Sequence, residues 1–300
     1  MFPDSDWVAP LGCIASMEII HTPITDFGME QAIGVLNDGF ADYIVPFHLS
    51  AAAFEGMSRT ASLDNQESRI LIVDGKPAGI ALIALRGNES RLAAMNLKPE
   101  FRGQGLGREF MFLLLADARK RGNRRMFLEV IASNSAAVRL YEAVGFTVIR
   151  CLNSYETEPS PGLHYTSDSD AKVVAMGEVA QVVSTDGLND LPWQVAGPTI
   201  SQYDKPSEAY RLADAYAVIS DPNAPQIYIQ CLVTRKMSRN MGQATRLVRA
   251  LFDRYPGKRW IVPAIFPEEM GGFFEHLGFD PGGISQLQMA IEIKPDLPCA

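Results

Sequence analysis

Cysteine and histidine are scarce in this sequence, with four of each among 300 residues. No two cysteines have the close spacing of a zinc-ligand pair, and the histidines are equally scattered. The cysteines also lack the density of a small disulfide-stapled domain. They are Cys13, Cys151, Cys231 and Cys299. We therefore expect no metal centre, and we expect a reducing, cytoplasmic compartment.

Long apolar runs and an excess of basic residues are missing as well. Every apolar stretch is interrupted before it could span a bilayer, and the first residues lack the basic start and apolar core of a secretory signal. Lys and Arg number 27 against 35 Asp and Glu, which gives a net charge of -8. A chain of this charge has no general attraction for nucleic acid. We expect neither a membrane nor a nucleic acid as a partner.

The sequence does contain enough apolar material for packed cores, with 47% hydrophobic and 21% charged residues. Residues 1–16 show little periodicity and are interpreted as a lead-in. Residues 153–172 are rich in Ser, Pro, Asp, Thr and Glu, which is typical of a linker. The prediction is therefore a first domain at 17–152 and a second at 173–300.

The first domain shows a series of antiparallel strands followed by alternating helices and strands. Asp74-Gly75 and Gly87-Asn88 separate apolar segments and predict hairpin turns. Strands are expected at 17–21, 69–73, 77–85, 91–97, 126–131 and 146–151, and helices at 25–42, 51–58, 106–121 and 134–144. This order implies an α/β fold in which helices cover a mixed sheet.

The same order partly repeats in the second domain. Arg102 and Arg239 each begin a glycine-containing loop and lie 239 − 102 = 137 positions apart. Gly145 and Gly278 each end a short helix and lie 278 − 145 = 133 positions apart. Strands are expected at 215–220, 226–234, 260–264 and 286–293, with a loop at 235–242, a helix from there to about 255 and a helix at 268–277. The near-constant offset indicates a tandem duplication.

A glycine-rich loop between a strand and a helix carries the chemistry. Residues 97–108 read LKPEFRGQGLGR. Glycines allow positive φ and let a ligand approach the backbone, while the unpaired N–H groups and dipole of a helix start attract an anion. The loop is therefore suited to a pyrophosphate. It also resembles a dinucleotide-binding turn, but it follows antiparallel strands, and no acidic ribose partner stands at the end of the next strand.

Two motifs in this order resemble the GNAT acyltransferases. The family signature is Arg or Gln, any two residues, Gly, any residue, then Gly or Ala, and Arg102, Gly105 and Gly107 satisfy it. Residues 128–146, LEVIASNSAAVRLYEAVGF, are similar to the second half of the family core, closest to the enzymes that acetylate N-terminal amines of ribosomal proteins. The resemblance implies two tandem GNAT acyl-CoA N-acyltransferase folds.

The resemblance also implies which residues hold acetyl-CoA, the family's co-substrate. Met95 and Leu97 would lie along the pantetheine arm, the loop would surround the pyrophosphate, and Asn134 would contact the cofactor from the next helix. The implied set is Met95, Leu97, Arg102, Gly103, Gln104, Gly105, Leu106, Gly107, Arg108 and Asn134. For Arg102 the expected role is structural, within the cofactor site.

Catalysis in the resembling subgroup uses a Glu as general base and a Tyr as general acid. The matching positions are Glu129 and Tyr141. A phenol can protonate the departing thiolate, since the thiolate is basic enough to take that proton. Two plainer readings stay open at this point: Glu129 as a surface residue on a strand edge, and Tyr141 as a packing residue. No cysteine lies in either motif, which favours direct transfer in a ternary complex over a covalent acyl-enzyme.

The second copy departs from the pattern. Asn240 stands where Gly103 stands, and Phe274 stands where Tyr141 stands. The strand at 260–264 offers no carboxylate to match Glu129. Since Phe cannot donate a proton, we interpret the second domain as degenerate, packing on the first and helping to shape the acceptor pocket.

The resulting hypothesis is an acetyl-CoA-dependent N-acetyltransferase that works in its first domain. Its acceptor would be an amine-bearing small molecule or a protein N-terminus, and the chain would be a monomer or a homodimer. The alternative is a non-catalytic acyl-CoA-binding module with a sensing or regulatory role.

Overall fold

A computed structural model describes residues 17–159 and 171–294 of the chain. The predicted lead-in at 1–16 and most of the predicted linker lie outside these residues. In the first half the strands are β1 (Ile19–Pro23), β2 (Arg69–Val73), β3 (Lys76–Arg86), β4 (Glu89–Leu97), β5 (Arg125–Ile131) and β6 (Thr147–Thr157). The helices are α1 (Ile24–Phe27), α2 (Met29–Gly39), α3 (Ala51–Ala61), α4 (Leu106–Lys120) and α5 (Ser135–Ala143).

The second half follows a similar order. Its strands are β7 (Lys172–Val174), β8 (Glu208–Leu212), β9 (Ala215–Ile219), β10 (Gln226–Thr234), β11 (Arg259–Pro267) and β12 (Asp280–Glu292). Its helices are α6 (Met176–Asp186), α7 (Gly197–Ile200), α8 (Gln243–Arg254) and α9 (Gly271–His276). No helix within the described ranges is both long and apolar enough to cross a membrane.

All twelve described strands join one sheet, in the order β1-β2-β3-β4-β5-β12-β6-β11-β10-β9-β8-β7. The final strand, β12, therefore lies between β5 and β6 of the first half, antiparallel to both. Conversely, β6 lies between β12 and β11 of the second half, antiparallel to both. Each half thus completes its sheet with a strand from the other.

This exchange of strands is visible in the cores. Met289 of β12 is fully buried in the core of the first half, among side chains of α4 and β5. Tyr155 of β6 is buried in the core of the second half, where its ring stacks on Phe274 at 5.4 Å between centroids. Residues 153–157 belong to β6 and not to a linker as predicted, because their backbone pairs with both β11 and β12.

Helices cover both faces of the sheet in each half. In the first half, α4 and α5 pack on one face and α1, α2 and α3 on the other. In the second half, α8 and α9 pack on one face and α6 and α7 on the other. The helix predicted at 25–42 is divided in two at Gly28, whose φ of 99° no helix can accommodate.

Two strands of each half separate partway along their length. Parallel pairing of β4 with β5 ends at Leu92 and Leu128, next to an irregularity in the β3–β4 register. Parallel pairing of β10 with β11 ends at Tyr228 and Ile261, again beside an irregularity in the register with β9. An irregular register bends a strand away from its neighbour. Each half therefore contains a split in the sheet, and the glycine-rich loop follows it.

Candidate active site

The split in the first half leaves one edge of β4 without a strand partner. Met95 and Leu97 lie on this stretch, paired to β3 on their other side and partly buried against the α4 face. Unpaired backbone N–H and C=O groups along a strand edge can pair with an extended ligand. Both residues therefore lie on a free strand edge, and their contact with the pantetheine arm stays a prediction.

The loop after β4 presents free backbone donors. Among the described residues, the N–H groups of Gly103, Gly105, Leu106 and Gly107 donate no hydrogen bond. Gly105 is the residue before α4 and has φ 80° and ψ −10°, a left-handed conformation that suits glycine. A Cβ built on it would meet no atom within 4 Å, so the space above it is open. The loop thus forms an open cradle of N–H donors at a helix start, which suits an anion.

Arg102 does not point into this cradle. Its Nε donates to the carbonyl of Leu97 at 2.9 Å, and its terminal nitrogens donate to the carbonyl of Gly39 at 2.9 Å and to the carboxylate of Asp42 at 2.6 and 2.9 Å. The hydrogen bond from Arg102 lowers the pKa of Asp42 below its usual range. Arg102 therefore fastens the loop to the end of α2, so its part in the site is to hold the cradle in shape.

The other predicted loop residues contribute backbone rather than side chains. The Gln104 amide donates to the carbonyl of Glu100 at 2.8 Å, and Leu106 is fully buried in the core. Arg108 lies over the ring of Phe112, 5.3 Å from its centroid, and its N–H is bonded to the carbonyl of Gly105. A ligand in the cradle would consequently meet main-chain N–H groups before any of these side chains.

Tyr43 lies near two polar side chains of the α5 region, Asn134 and Tyr141. Asn134 caps the helix, its side-chain oxygen accepting the N–H of Ala137 at 3.2 Å, and it is close enough to Tyr43 to lower the pKa of the Tyr43 hydroxyl, although burial raises that pKa by more. Tyr43 in turn lies close enough to Tyr141 to raise the pKa of the Tyr141 hydroxyl, which burial raises further and to a larger extent. The cofactor contact of Asn134 stays a prediction, and its side-chain oxygen is already engaged by the helix cap.

Tyr43 was not identified from the sequence. It stands in the irregular segment after α2, with no motif around it, and only the fold brings it to α5. Its separation from Tyr141 by almost a hundred residues explains why no local pattern could reveal the contact.

Glu129 lies just past the point where β4 and β5 separate, and its side chain is only 2% exposed. It is therefore not a surface residue on a strand edge. One carboxylate oxygen, Oε2, accepts the Nε of Arg91 at 2.7 Å and the amide of Gln194 at 3.3 Å. The other oxygen, Oε1, is buried and has no partner among the described residues. Gln194 comes from a 3-10 turn of the second half, Trp193–Val195.

Other contacts fix that turn against the first half. The Trp193 indole donates to the carbonyl of Ala61 at 2.7 Å, and the guanidinium of Arg86 lies 4.1 Å from the indole centroid. Arg86 also donates to the hydroxyl of Thr199 at 2.6 Å. Burial lowers the pKa of Arg86 to about 10, and nearby Arg91 contributes to the shift. The second half thus covers the face of the first sheet that carries Glu129.

The second half keeps the geometry of the loop but not the two side chains that are predicted to be catalytic in the first half. Arg239 donates to the carbonyls of Thr234 and Asp186, as Arg102 does to Leu97 and Gly39. Asn240 and Gly242 retain positive φ values of 62° and 71°, so the asparagine does not change the backbone. A cavity of about 480 Å³ lies beside the loop, between β10 and α9.

The second half has no proton donor and no carboxylate at the positions that match Tyr141 and Glu129. Phe274, in the position of Tyr141, is fully buried in the core. Val262 and Pro263 are the strand residues nearest to the position of Glu129. Cys231 lines the cavity, but burial raises the pKa of its thiol to about 12 and keeps it protonated. Among the described residues, no group of three or more metal-ligating side chains occurs in either half.

The features of the first half fit an acyl-CoA. An open cradle of N–H groups suits the pyrophosphate, and the free edge of β4 suits an extended arm with amide groups. Two arginines that follow α4 in the sequence are already paired, Arg121 with Glu67 and Arg125 with Asp190 and Glu89. They are therefore engaged in ion pairs of the fold and not held free for a phosphate.

Comparison with known proteins points in the same direction. The profile of the Acetyltransferase (GNAT) family matches residues 39–146. The [ribosomal protein bS18]-alanine N-acetyltransferase of Escherichia coli strain K12 is 32% identical over 119 residues, which are 38% of this chain and 80% of that protein. The mycothiol acetyltransferase of Thermobispora bispora is 49% identical over 53 residues, 18% of each chain.

Solved structures match both halves together. A tandem GNAT protein from the clavulanic acid biosynthesis pathway superposes with a TM-score of 0.61 at 16% identity, covering 94% of this chain and 100% of the other. A GCN5-related N-acetyltransferase from Sphaerobacter thermophilus gives a TM-score of 0.64 at 15% identity, covering 93% and 97%. At this identity the likeness concerns the fold, and it extends over the tandem arrangement. With the profile match and a 32% identical relative covered over four-fifths of its length, the chain belongs to the GNAT acetyltransferase family.

Proposed function

We propose that the protein transfers an acetyl group from acetyl-CoA to a primary amine and that the reaction occurs in the first half. The observation that carries this proposal is a loop with free backbone N–H donors that directly follows the unpaired edge of β4. The donors belong to Gly103, Gly105, Leu106 and Gly107. Acetyl-CoA supplies an activated thioester when bound there. The residues around the split then have to provide a neutral amine and a proton for the leaving thiolate.

The reaction proposed here is direct transfer in a ternary complex. The amine nitrogen attacks the thioester carbonyl, a C–N bond forms, the C–S bond breaks, and the products are the N-acetyl amine and CoA. The described cysteines do not support an acyl-enzyme: Cys151 lies on β6 and Cys231 in the second half. Since burial raises the pKa of both thiols, neither has the thiolate character of a nucleophile.

Tyr141 is the proposed source of the proton for the thiolate. Its raised pKa keeps the hydroxyl protonated over the whole neutral range. A phenol that is a weaker acid than usual gives up its proton only as negative charge develops on sulfur, so its contribution is concentrated at the transition state.

Glu129 is the proposed acceptor of the amine's proton. Arg91 and Gln194 engage Oε2 and fix the orientation of the carboxylate, while Oε1 is left without a partner and can accept a proton. Because Arg91 sits on β4 and Glu129 on β5, the ion pair also joins the two strands at the point where they separate.

The proposed acceptor is a protein N-terminus or a small amine. Relatives named as alanine N-acetyltransferases of ribosomal protein bS18 support the first, and the mycothiol acetyltransferase supports the second. The net charge of -8 favours the approach of a basic acceptor.

Calorimetry and a thiol-release assay test the proposal together. We would titrate acetyl-CoA into the wild type, Gly105→Trp and the matched Gly242→Trp, and then supply a panel of primary amines that includes a peptide with a free N-terminal alanine. We expect Gly105→Trp to lose both binding and amine-dependent thiol release, and Gly242→Trp to retain thiol release. A wild type that binds no acetyl-CoA, or transfers acetyl to none of the amines, would refute it.

For the second half we propose a different function, which is to bind an acyl-CoA without catalysing a reaction. The supporting observation is the cavity of about 480 Å³ beside an intact loop, with Phe274 in place of the tyrosine. A second calorimetric site that Gly242→Trp removes without affecting turnover is the expected signature. A single site in the wild type would argue against it.

A further inference from the structure

Three buried oxygen atoms without hydrogen-bond donors occur together where the two halves meet. They are Oε1 of Glu129, Oε1 of Gln194 and Oε1 of Gln288. Each is a hydrogen-bond acceptor, and none has a partner among the described residues. Arg150, opposite Gln288 on β6, adds one buried donor without a partner, its Nε. A buried acceptor that has lost its water and gained no donor is strongly unfavourable, so the excess of three acceptors over one donor indicates that a donor-bearing group binds there.

The three side chains are neighbours on one face of the sheet. Glu129 of β5 and Gln288 of β12 are directly opposite one another in antiparallel register, which places their side chains on the same face. Gln194 reaches Glu129 from the covering turn, with its amide 3.3 Å from Oε2. The side-chain nitrogen of Gln288 donates to the carbonyl of Asp190 at 3.1 Å, so the side-chain oxygen of Gln288 is the atom without a partner.

The surrounding charges decide what kind of donor fits. Arg91 is paired with Glu129, Arg86 lies next to Arg91, and Arg150 is the β6 neighbour of Gln288. Arg150 is engaged by Glu269 at 3.4 Å and by the carbonyl of Asn189 at 3.0 Å. The cluster therefore holds more positive than negative charge, which disfavours an ammonium ion and favours a neutral amine. A neutral amine is also the form that can attack a thioester.

We propose that Glu129, Gln194 and Gln288 form the subsite that receives the acceptor amine, and that its two glutamines are the contribution of the second half to the reaction. One N–H group of a neutral primary amine donates to Glu129 Oε1, the other is shared between the side-chain oxygens of Gln194 and Gln288, and the lone pair of the amine stays free for attack. This inference rests on the proposed function and specifies how the amine is recognised. Gln194 and Gln288 are specificity residues for an N–H-bearing nucleophile.

The test compares Gln194→Leu and Gln288→Leu with Gln286→Leu. Leucine nearly preserves the volume of glutamine and removes the amide oxygen. Gln286 lies two residues from Gln288 on the same strand, and its amide donates to the carbonyl of Ala264 at 2.8 Å. For the amine that the wild type acetylates fastest, we expect the first two variants to lose about 10- to 100-fold in kcat/KM, mainly through KM for the amine. The calorimetric Kd for acetyl-CoA and the kinetics of Gln286→Leu should remain at wild-type values.

A comparison of a primary amine with its N-methylated form separates recognition of the amine by the two glutamines from a general structural effect of the substitutions. An N-methylated version of the same amine has one N–H group fewer, so the wild type should prefer the primary amine. That preference should shrink in Gln194→Leu and Gln288→Leu and persist in Gln286→Leu, because the lost oxygen and the lost N–H belong to one hydrogen bond. A structural role would lower both rates equally.

The outcomes distinguish the two proposals. If the wild type acetylates no amine in the panel, the proposed function fails and this inference fails with it. If the wild type is active while Gln194→Leu and Gln288→Leu match it in KM and in preference for the primary amine, the inference alone is overturned. An equal loss in Gln286→Leu would also overturn it.

Discussion

Exchange of β6 and β12 makes the stability of each half depend on the other, and Met289→Ala tests this. Met289 belongs to the last described strand of the chain but is fully buried in the core of the first half. Truncating a buried methionine to alanine leaves a cavity and costs about 2–5 kcal/mol. Because a domain is stable by only about 5–15 kcal/mol, the loss is a large fraction of the total.

The assay combines urea unfolding with native-state hydrogen exchange. We expect the urea midpoint to fall and protection to decrease in β5 and α4, which are more than a hundred residues away in the sequence. Met237→Ala is the matched control, since Met237 is 89% exposed and should change neither measurement.

The reciprocal variant, Tyr155→Ala, should act on the opposite half. It removes the ring stacked on Phe274 and should reduce protection in α9 and β11. If Met289→Ala lowered protection only within β7 to β11, or if Tyr155→Ala lowered it only in the first half, the strand exchange would be wrong.

Three further predictions concern the site. Tyr141→Phe should lower kcat by about 10²- to 10⁴-fold with an unchanged Kd for acetyl-CoA, as expected for loss of an acid. In the wild type, ionisation of Tyr141 should cause no decline in activity up to the ordinary tyrosine pKa of 10.0, because the pKa of Tyr141 is raised above that value. The pH–rate profiles of both proteins check these points. Asp42→Asn should destabilise the protein only where the carboxylate is ionised. The pKa of Asp42 is lowered in the folded state, so its contribution is complete above the ordinary value of 3.8 and is lost as the pH falls through the lower folded value; urea midpoints measured across that range should converge at the acid end. Trp193→Ala should lower the free energy of unfolding by about 3–5 kcal/mol. It should also raise KM for the amine, because Trp193 holds the neighbouring Gln194 in place. A variant with normal stability and normal KM would contradict the packing of the Trp193–Val195 turn against the first half.

The glycine-rich loop could be predicted from the sequence because its information is local. Gly103, Gly105 and Gly107 are needed where the backbone turns and where a ligand approaches, and these requirements appear as a short motif. The positions of Glu129 and Tyr141 followed from a second short motif on the adjacent strand and helix. Their chemical roles remain predictions.

The direction of the Arg102 side chain could not be read from that motif. A cationic residue at a phosphate loop is equally compatible with binding the ligand and with fastening the loop. Its contacts with Gly39 and Asp42 depend on how α2 ends, sixty residues earlier in the chain.

The partners of β6 and β12 could not be predicted either. Residues 153–157 carry polar side chains apart from the buried Tyr155, and their strand structure comes from backbone pairing to β11 and β12 rather than from their own pattern. Gln194 and Gln288 likewise have no distinguishing local sequence. Pairing between segments far apart in the chain, and not residue propensity, gives these positions their surroundings.

The exchange of strands also sets the order of events during synthesis. The ribosome makes β5 and β6 early, but β12 ends at Glu292, which is 292 − 157 = 135 residues after the end of β6. At 5–20 residues per second, translation of that stretch takes about 7–27 s. For this time the nascent first half has strand edges that await their partner, and such edges can pair with other chains. Translation that stops between the end of β6 and the start of β12 should therefore yield a product prone to aggregate, even though its entire glycine-rich loop, Glu129 and Tyr141 have already been made.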